Sequence, residues 1–112
     1  MIIHFKTKKL QKQCENPQVA LKDYGSSIGN KLVQRIGELQ AAVSLEDIKR
    51  IPAARLHRLQ GKRSIEYAID LVHPFRLIIR PDLQDGQSIN ELAKIHIVRV
   101  EKVEDYHGKQ KR

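Results

Sequence analysis

Apolar and polar positions along this chain change their period once, near Pro52. Before that point the spacing is helical, and after it the two kinds of residue alternate. Ile2-Ile3-His4-Phe5 opens the chain as a short strand. Thr7 is placed to cap a short helix running to about Cys14. Asn16-Pro17 is a helix start, with Asn as the cap and Pro at the first helical position, where its missing N–H costs nothing. Gly25 after Tyr24 suits the end of that helix. A second, longer helix follows, capped by Ser26 or Ser27. Ile28, Leu32, Ile36, Leu39 and Val43 form its apolar stripe, and Lys31, Gln34, Arg35 and Glu38 its wet side. Ser44-Leu45-Glu46-Asp47 has the spacing of a capping box with Asp at the closing position, and it opens a short turn of helix that Pro52 stops.

Beyond Pro52, Leu56 and Leu59 belong to a short strand ending at Gly61. Ile65, Tyr67, Ile69 and Leu71 alternate with Ser64, Glu66, Ala68 and Asp70, as a half-buried strand requires. His73-Pro74 is a turn, after which Phe75, Leu77 and Ile79 alternate with Arg76, Ile78 and Arg80. Pro81 to Lys94 reads as a polar connection with Asp85-Gly86 at its tip, and Ile95 to Glu101 as the last strand. The order of strand, helices and four strands predicts an α+β domain, with two main N-terminal helices on one face of a mostly antiparallel sheet. The other face is then open to be lined by Arg76, Arg80 and the cations of residues 55–63.

The 112 residues suit one domain, residues 1–112, with 108–112 expected to be a disordered basic tail. Apolar residues make up 40% of the chain, enough for a core. The single cysteine, Cys14, excludes an internal disulfide framework and a cysteine-rich zinc site, and it reads as a small buried apolar residue. Unbroken apolar runs reach only three residues, as in Leu77-Ile78-Ile79, far short of the roughly 20 needed to span a bilayer. No signal-peptide pattern opens the chain, so a cytoplasmic protein without a membrane partner is expected.

Charge changes the picture more than composition does. Twenty-one Lys and Arg stand against thirteen Asp and Glu, a formal net charge of +8. The cations are grouped: Lys6, Lys8, Lys9 and Lys12 near the start, Arg55, Arg58, Lys62 and Arg63 in the middle, and Lys109, Lys111 and Arg112 at the end. Such segregation predicts a basic face for a polyanionic partner. A glycine-rich phosphate loop and a Gly-x-Ser-x-Gly elbow are both missing from the sequence. The five histidines are scattered, so neither a metal nor a cofactor is expected. Aromatics are only 4%, too few for a sheet that stacks successive bases. His4 and His96 lie in apolar strands and read as structural, whereas His57 sits in the basic cluster within reach of a phosphate. Asp105-Tyr106-His107 gathers an acid, a phenol and an imidazole just past the last strand, which are proton-transfer groups suited to neutral pH.

Several segments, in order, resemble the HigB-like branch of the RelE/ParE superfamily of bacterial toxins. They are Phe5-Lys6-Thr7-Lys8-Lys9-Leu10, Lys22-Asp23-Tyr24-Gly25, Leu56-His57-Arg58-Leu59-Gln60-Gly61-Lys62-Arg63, Phe75-Arg76-Leu77 and Glu104-Asp105-Tyr106-His107. The polar connection 81–94, the His73-Pro74 turn and the tail beyond His107 depart from that pattern. The resemblance implies a RelE-like fold and a metal-independent, ribosome-dependent mRNA endoribonuclease that inhibits translation. It also implies a cognate antitoxin, usually a helix-turn-helix DNA-binding protein. Mapped onto this chain, it makes His107, Tyr106, Asp105 and Arg76 the catalytic set. Lys62 or Arg63 would stand near the scissile phosphate; Arg58, Arg80, Lys6 and Lys9 complete the expected contacts to mRNA and ribosomal RNA. Relatives with the same fold act on DNA gyrase instead, and a non-catalytic module binding nucleic acid or protein is the other alternative.

Overall fold

The computed structural model describes residues 1–106; the tail 108–112 and His107 lie outside the described residues. The first strand is β1, Ile2–Phe5. Thr7 turns the chain into α1, Lys8–Glu15, its hydroxyl accepting from the Leu10 N–H at 3.0 Å. Asn16 caps the next helix through hydrogen bonds from the Gln18 and Val19 N–H groups, with Pro17 at the first helical position. That helix, α2, spans Pro17–Ala41 and is interrupted at Gly25, whose φ of 82° suits glycine. The two arms cross closely: a Cβ on Gly29 would stand 2.7 Å from the Ala20 carbonyl oxygen, so only glycine fits there.

Ser44 caps α3, Leu45–Lys49, by accepting from the Glu46 N–H. Asp47 closes the turn from the other side, accepting from the Val43 N–H at 2.8 Å. The remaining strands are β2 (His57–Arg58), β3 (Tyr67–Asp70), β4 (Phe75–Pro81) and β5 (Ile97–Asp105). They form one sheet in the order β1-β5-β4-β3-β2. Every pairing is antiparallel except β1 with β5, which run parallel. The fold is α+β, with the helices on one face of a mostly antiparallel sheet, as the residue pattern predicts.

Leu10, Cys14, Leu32, Ile36 and Leu39 pack from the helices against Ile69, Leu77, Ile79, Val98 and Val100 of the sheet. Burial of such side chains stabilises the fold by about 1.5–3 kcal/mol each. Burial also pushes the Cys14 thiol up to about 12, so it stays protonated and inert as a nucleophile. Among the described residues no helix is long and apolar enough to cross a membrane.

Three expectations are corrected. Val43 is 70% exposed, because α2 ends at Ala41 and the stripe stops at Leu39. Arg35 is buried rather than wet. Its guanidinium donates to the carbonyls of Asp70 at 2.8 Å and Ala53 at 3.0 Å, and pairs with Glu38 at 2.9 Å, tying α2 to β3. Ile78, expected on the open face, is wholly buried there against Leu59 and Ala68, because residues 59–66 fold back over that face.

Candidate functional site

Register decides which side chains share the open face. Asp70 stands opposite Arg76, and Arg76 opposite Glu104. In the neighbouring row His57 faces Ala68, Ala68 faces Ile78, and Ile78 faces Lys102. Because strand side chains alternate, Phe75, Leu77 and Ile79 enter the core while Arg76, Ile78 and Arg80 project to the other side. The folded-back segment 59–66 then delivers Arg63 to the same place.

Glu104 is the hub of this cluster. It is only 8% exposed, and three cations reach it. Arg76 donates through Nε to Oε2 at 2.8 Å, with Nη2 2.6 Å from the same oxygen. Arg63 Nη2 stands 2.9 Å from Oε1, an ion pair whose angle departs from that of a hydrogen bond. Lys102 Nζ lies 3.4 Å from Oε1. Arg63 is also held by Glu66 at 2.9 Å. Burial by itself raises the carboxyl's pKa, but pairing with Arg63 and Arg76 outweighs it and holds Glu104 at about 2. So acidic a group is a poor proton acceptor at neutral pH. Its role is to aim guanidinium groups, and the cluster of three cations and two carboxylates keeps a surplus of positive charge.

A depression from 4.5 to about 2 corresponds to roughly 3 kcal/mol of folding stability. The native pKa is lowered, so this contribution is present above the unfolded value and is lost as pH falls from about 4.5 toward 2. Chemical unfolding of the wild-type protein across that window should show the loss. Glu104→Gln should be less stable at pH 7 and flatter through the same window; an equal slope would remove Glu104 from the account.

Tyr106 completes the site. The Arg76 guanidinium carbon lies 4.9 Å from the centre of the Tyr106 ring, a cation–π contact. His73 meets the same ring edge-on, with centroids 6.0 Å apart. Tyr106 and Arg76 both line two small depressions. One is lined by Arg63, Arg76, Glu104 and Asp105. The other is lined by Arg55, Asp70, His73 and Arg76. Arg55 grips Asp70 through two hydrogen bonds of 2.7 and 3.1 Å.

Of the residues that the resemblance makes a site, Arg76, Tyr106 and Arg63 line one depression here. Asp105 stands opposite Phe75 on β4, at the margin of the depression that Arg63 and Arg76 line. His107 lies outside the described residues. Lys62 is exposed on the turn beside Arg63. Arg58 is occupied in tying loops together, donating to the Ser64 carbonyl at 2.6 Å and to Asn90 at 2.9 Å. Arg80 lies further along β4, and Lys6 and Lys9 are exposed around the start of α1, Lys9 lining a separate depression with Lys102.

Two residues gain importance that composition did not give them. Glu104 was visible only as the first letter of a tail motif; its value comes from facing Arg76 across the sheet. His57 accompanies it on the open face, with Nδ1 2.8 Å from the Arg55 carbonyl. The carbonyl can only accept, so this contact fixes the ring and leaves Nε2 outside it. The chain matches no model of a known protein family and no curated protein.

Proposed function

We propose that this protein is a HigB-like toxin of a bacterial type II toxin–antitoxin pair, cutting mRNA on the ribosome in the cytoplasm. The observation that carries this reading is the Arg76 guanidinium, anchored by Glu104 and seated over the Tyr106 ring on the open sheet face. β5 ends at Asp105, two residues before His107 in the chain. The resemblance of the ordered motifs supports the same reading.

The chemistry that suits these groups is attack of a ribose 2′-OH on its own 3′-phosphate. One group removes the 2′-OH proton, another protonates the departing 5′-oxygen, and cations bear the charge that builds on phosphorus. Arg76, with Lys62 or Arg63 beside it, supplies the cations. His107 and His57 are the imidazoles for the two proton transfers, Asp105 orients His107, and Tyr106 positions the RNA. The partners are mRNA, ribosomal RNA and a cognate antitoxin, the last a helix-turn-helix DNA-binding protein. An acidic antitoxin segment laid on the same cations would silence the toxin by occlusion.

A second reading takes its support from Glu104. Arg63 and Arg76 are both engaged by that carboxylate, as in a binding surface without catalysis or a gyrase-directed toxin. Expression of the protein in growing bacteria, followed by mapping of mRNA 5′ ends, separates the two. New ends at codons of translated messages support the nuclease. A DNA-damage response with intact messages supports the gyrase-directed reading, and binding without either effect supports the adaptor.

A further inference from the structure

A row of three side chains crosses the open face at the far end of β4. His4 on β1 stands beside Arg99 on β5, and Arg99 stands opposite Arg80 on β4. Neighbouring strands are about 4.8 Å apart, so two guanidinium groups issue from adjacent backbone positions. Like charges directly opposite each other in a sheet destabilise it. The structure relieves only half of that repulsion. Arg99 is taken up by Glu101 through bonds of 2.5 and 3.1 Å. Arg80 is exposed, and among the described residues no carboxylate pairs with it. His4 is exposed as well, contrary to the satisfied structural role its apolar strand suggests. His4, Arg80, Pro81, Asp82 and Arg99 line a cavity of about 380 Å³.

We propose that this cavity binds a phosphodiester of single-stranded RNA. It would be a second anchoring point for the strand whose cleavage is proposed above, and in that sense it rests on that reading. Arg80 lies four positions along β4 from Arg76, about 13 Å along the strand. Residues 59–66 cover Ile78 between the two, so an RNA strand reaching from Arg80 to the Arg76–Tyr106 pair runs along β5, past the half-exposed Lys102. Asp82 on the rim limits the positive charge of the cavity. A singly charged phosphodiester suits that balance better than a doubly charged free phosphate. The Arg80–Arg99 opposition, costly in the free protein, is eased when an anion lies between the two strands' side chains.

The test is the binding of a short fluorescent 2′-O-methyl oligouridylate, which lacks the attacking hydroxyl, to the full chain over a range of salt concentrations. Wild-type affinity should fall steeply with salt. Arg80→Ala should bind about tenfold more weakly. Its plot of log affinity against log salt should be shallower by about 0.7, the signature of one lost phosphate contact. Arg80→Lys should keep the wild-type slope, and Asp82→Asn should bind more tightly. Thermal unfolding of Arg80→Ala should be no lower than wild type, because the substitution removes a like-charge opposition. An unaltered slope and affinity in Arg80→Ala would overturn the proposal, as would a wild-type protein that ignores the oligonucleotide. Weaker binding by Asp82→Asn would also overturn it, by making the cavity a reader of base edges. Failure of the nuclease reading has a different signature: intact oligonucleotide binding, with the Arg80 dependence, but no cuts in cellular mRNA.

Discussion

Arg76→Ala should lower mRNA cleavage by about 10²- to 10³-fold, the usual cost of removing one donor aimed at developing oxyanion charge. The expectation comes from how firmly the group is held. Its Nε and Nη2 both meet Glu104 Oε2, and its flat face lies over Tyr106. That leaves the guanidinium one orientation, with its outer edge toward the open face. Glu104 retains Arg63 and Lys102 in the variant, so the protein should stay folded with a modest loss of stability. Arg76→Lys should not restore activity, because an ammonium cannot bond the carboxylate in two places and still present a flat face to the ring. The loss should appear in the rate of cutting on saturated ribosomes rather than in ribosome affinity, since the charge to be stabilised exists only in the transition state. Full cleavage by Arg76→Ala would show that the cluster is structural.

The second large effect is expected from the imidazoles. His107→Ala should lower cleavage by about 10²- to 10⁴-fold, the span of one lost general acid or base. His57→Ala tests the second proton transfer, since His57 lies on the same sheet face with its Nδ1 held 2.8 Å from the Arg55 carbonyl. The double variant should fall little below the worse of the two singles, because groups that act in one step lose their effect together. Growth arrest on expression should disappear in parallel. A His107→Ala protein that still cuts mRNA and arrests growth would remove that residue from the mechanism.

Much of the framework could be read from local signals. Thr7, Asn16-Pro17 and Ser44 each satisfy orphan N–H groups at a helix start, and each does so in the structure. Gly25 interrupts the helical run as its freedom at positive φ allows. Alternation found β3 and β4, because a strand with one buried face must alternate. It failed at Ile78 and at Ile65, which is 46% exposed, because tertiary folding of residues 59–66 over the sheet buries one and frees the other. The short strand expected around Leu56 and Leu59 shrinks to His57–Arg58, and the last strand runs on to Asp105. The parallel pairing of β1 with β5 joins the two ends of the described chain and has no local signature at all.

The site was legible in part for the same reason. Residue type and order draw attention to Arg76 and Tyr106, and the resemblance adds Lys62 or Arg63 without choosing between them. The carboxylate that organises them emerges only when β4 and β5 are placed in register, with Arg76 opposite Glu104. The Arg80–Arg99 opposition is likewise a product of pairing, since the two residues are far apart in sequence.

The most direct test of the central claim is the chemistry of the cut ends. Messages cleaved on ribosomes by the purified protein should carry 2′,3′-cyclic phosphate on the upstream fragment and 5′-hydroxyl on the downstream one. A single 2′-deoxy substitution at the cut site should block the reaction. Fragments with 5′-phosphate ends, or cleavage that proceeds through the 2′-deoxy position, would contradict attack by the neighbouring hydroxyl and with it the roles given to Arg76, His57 and His107.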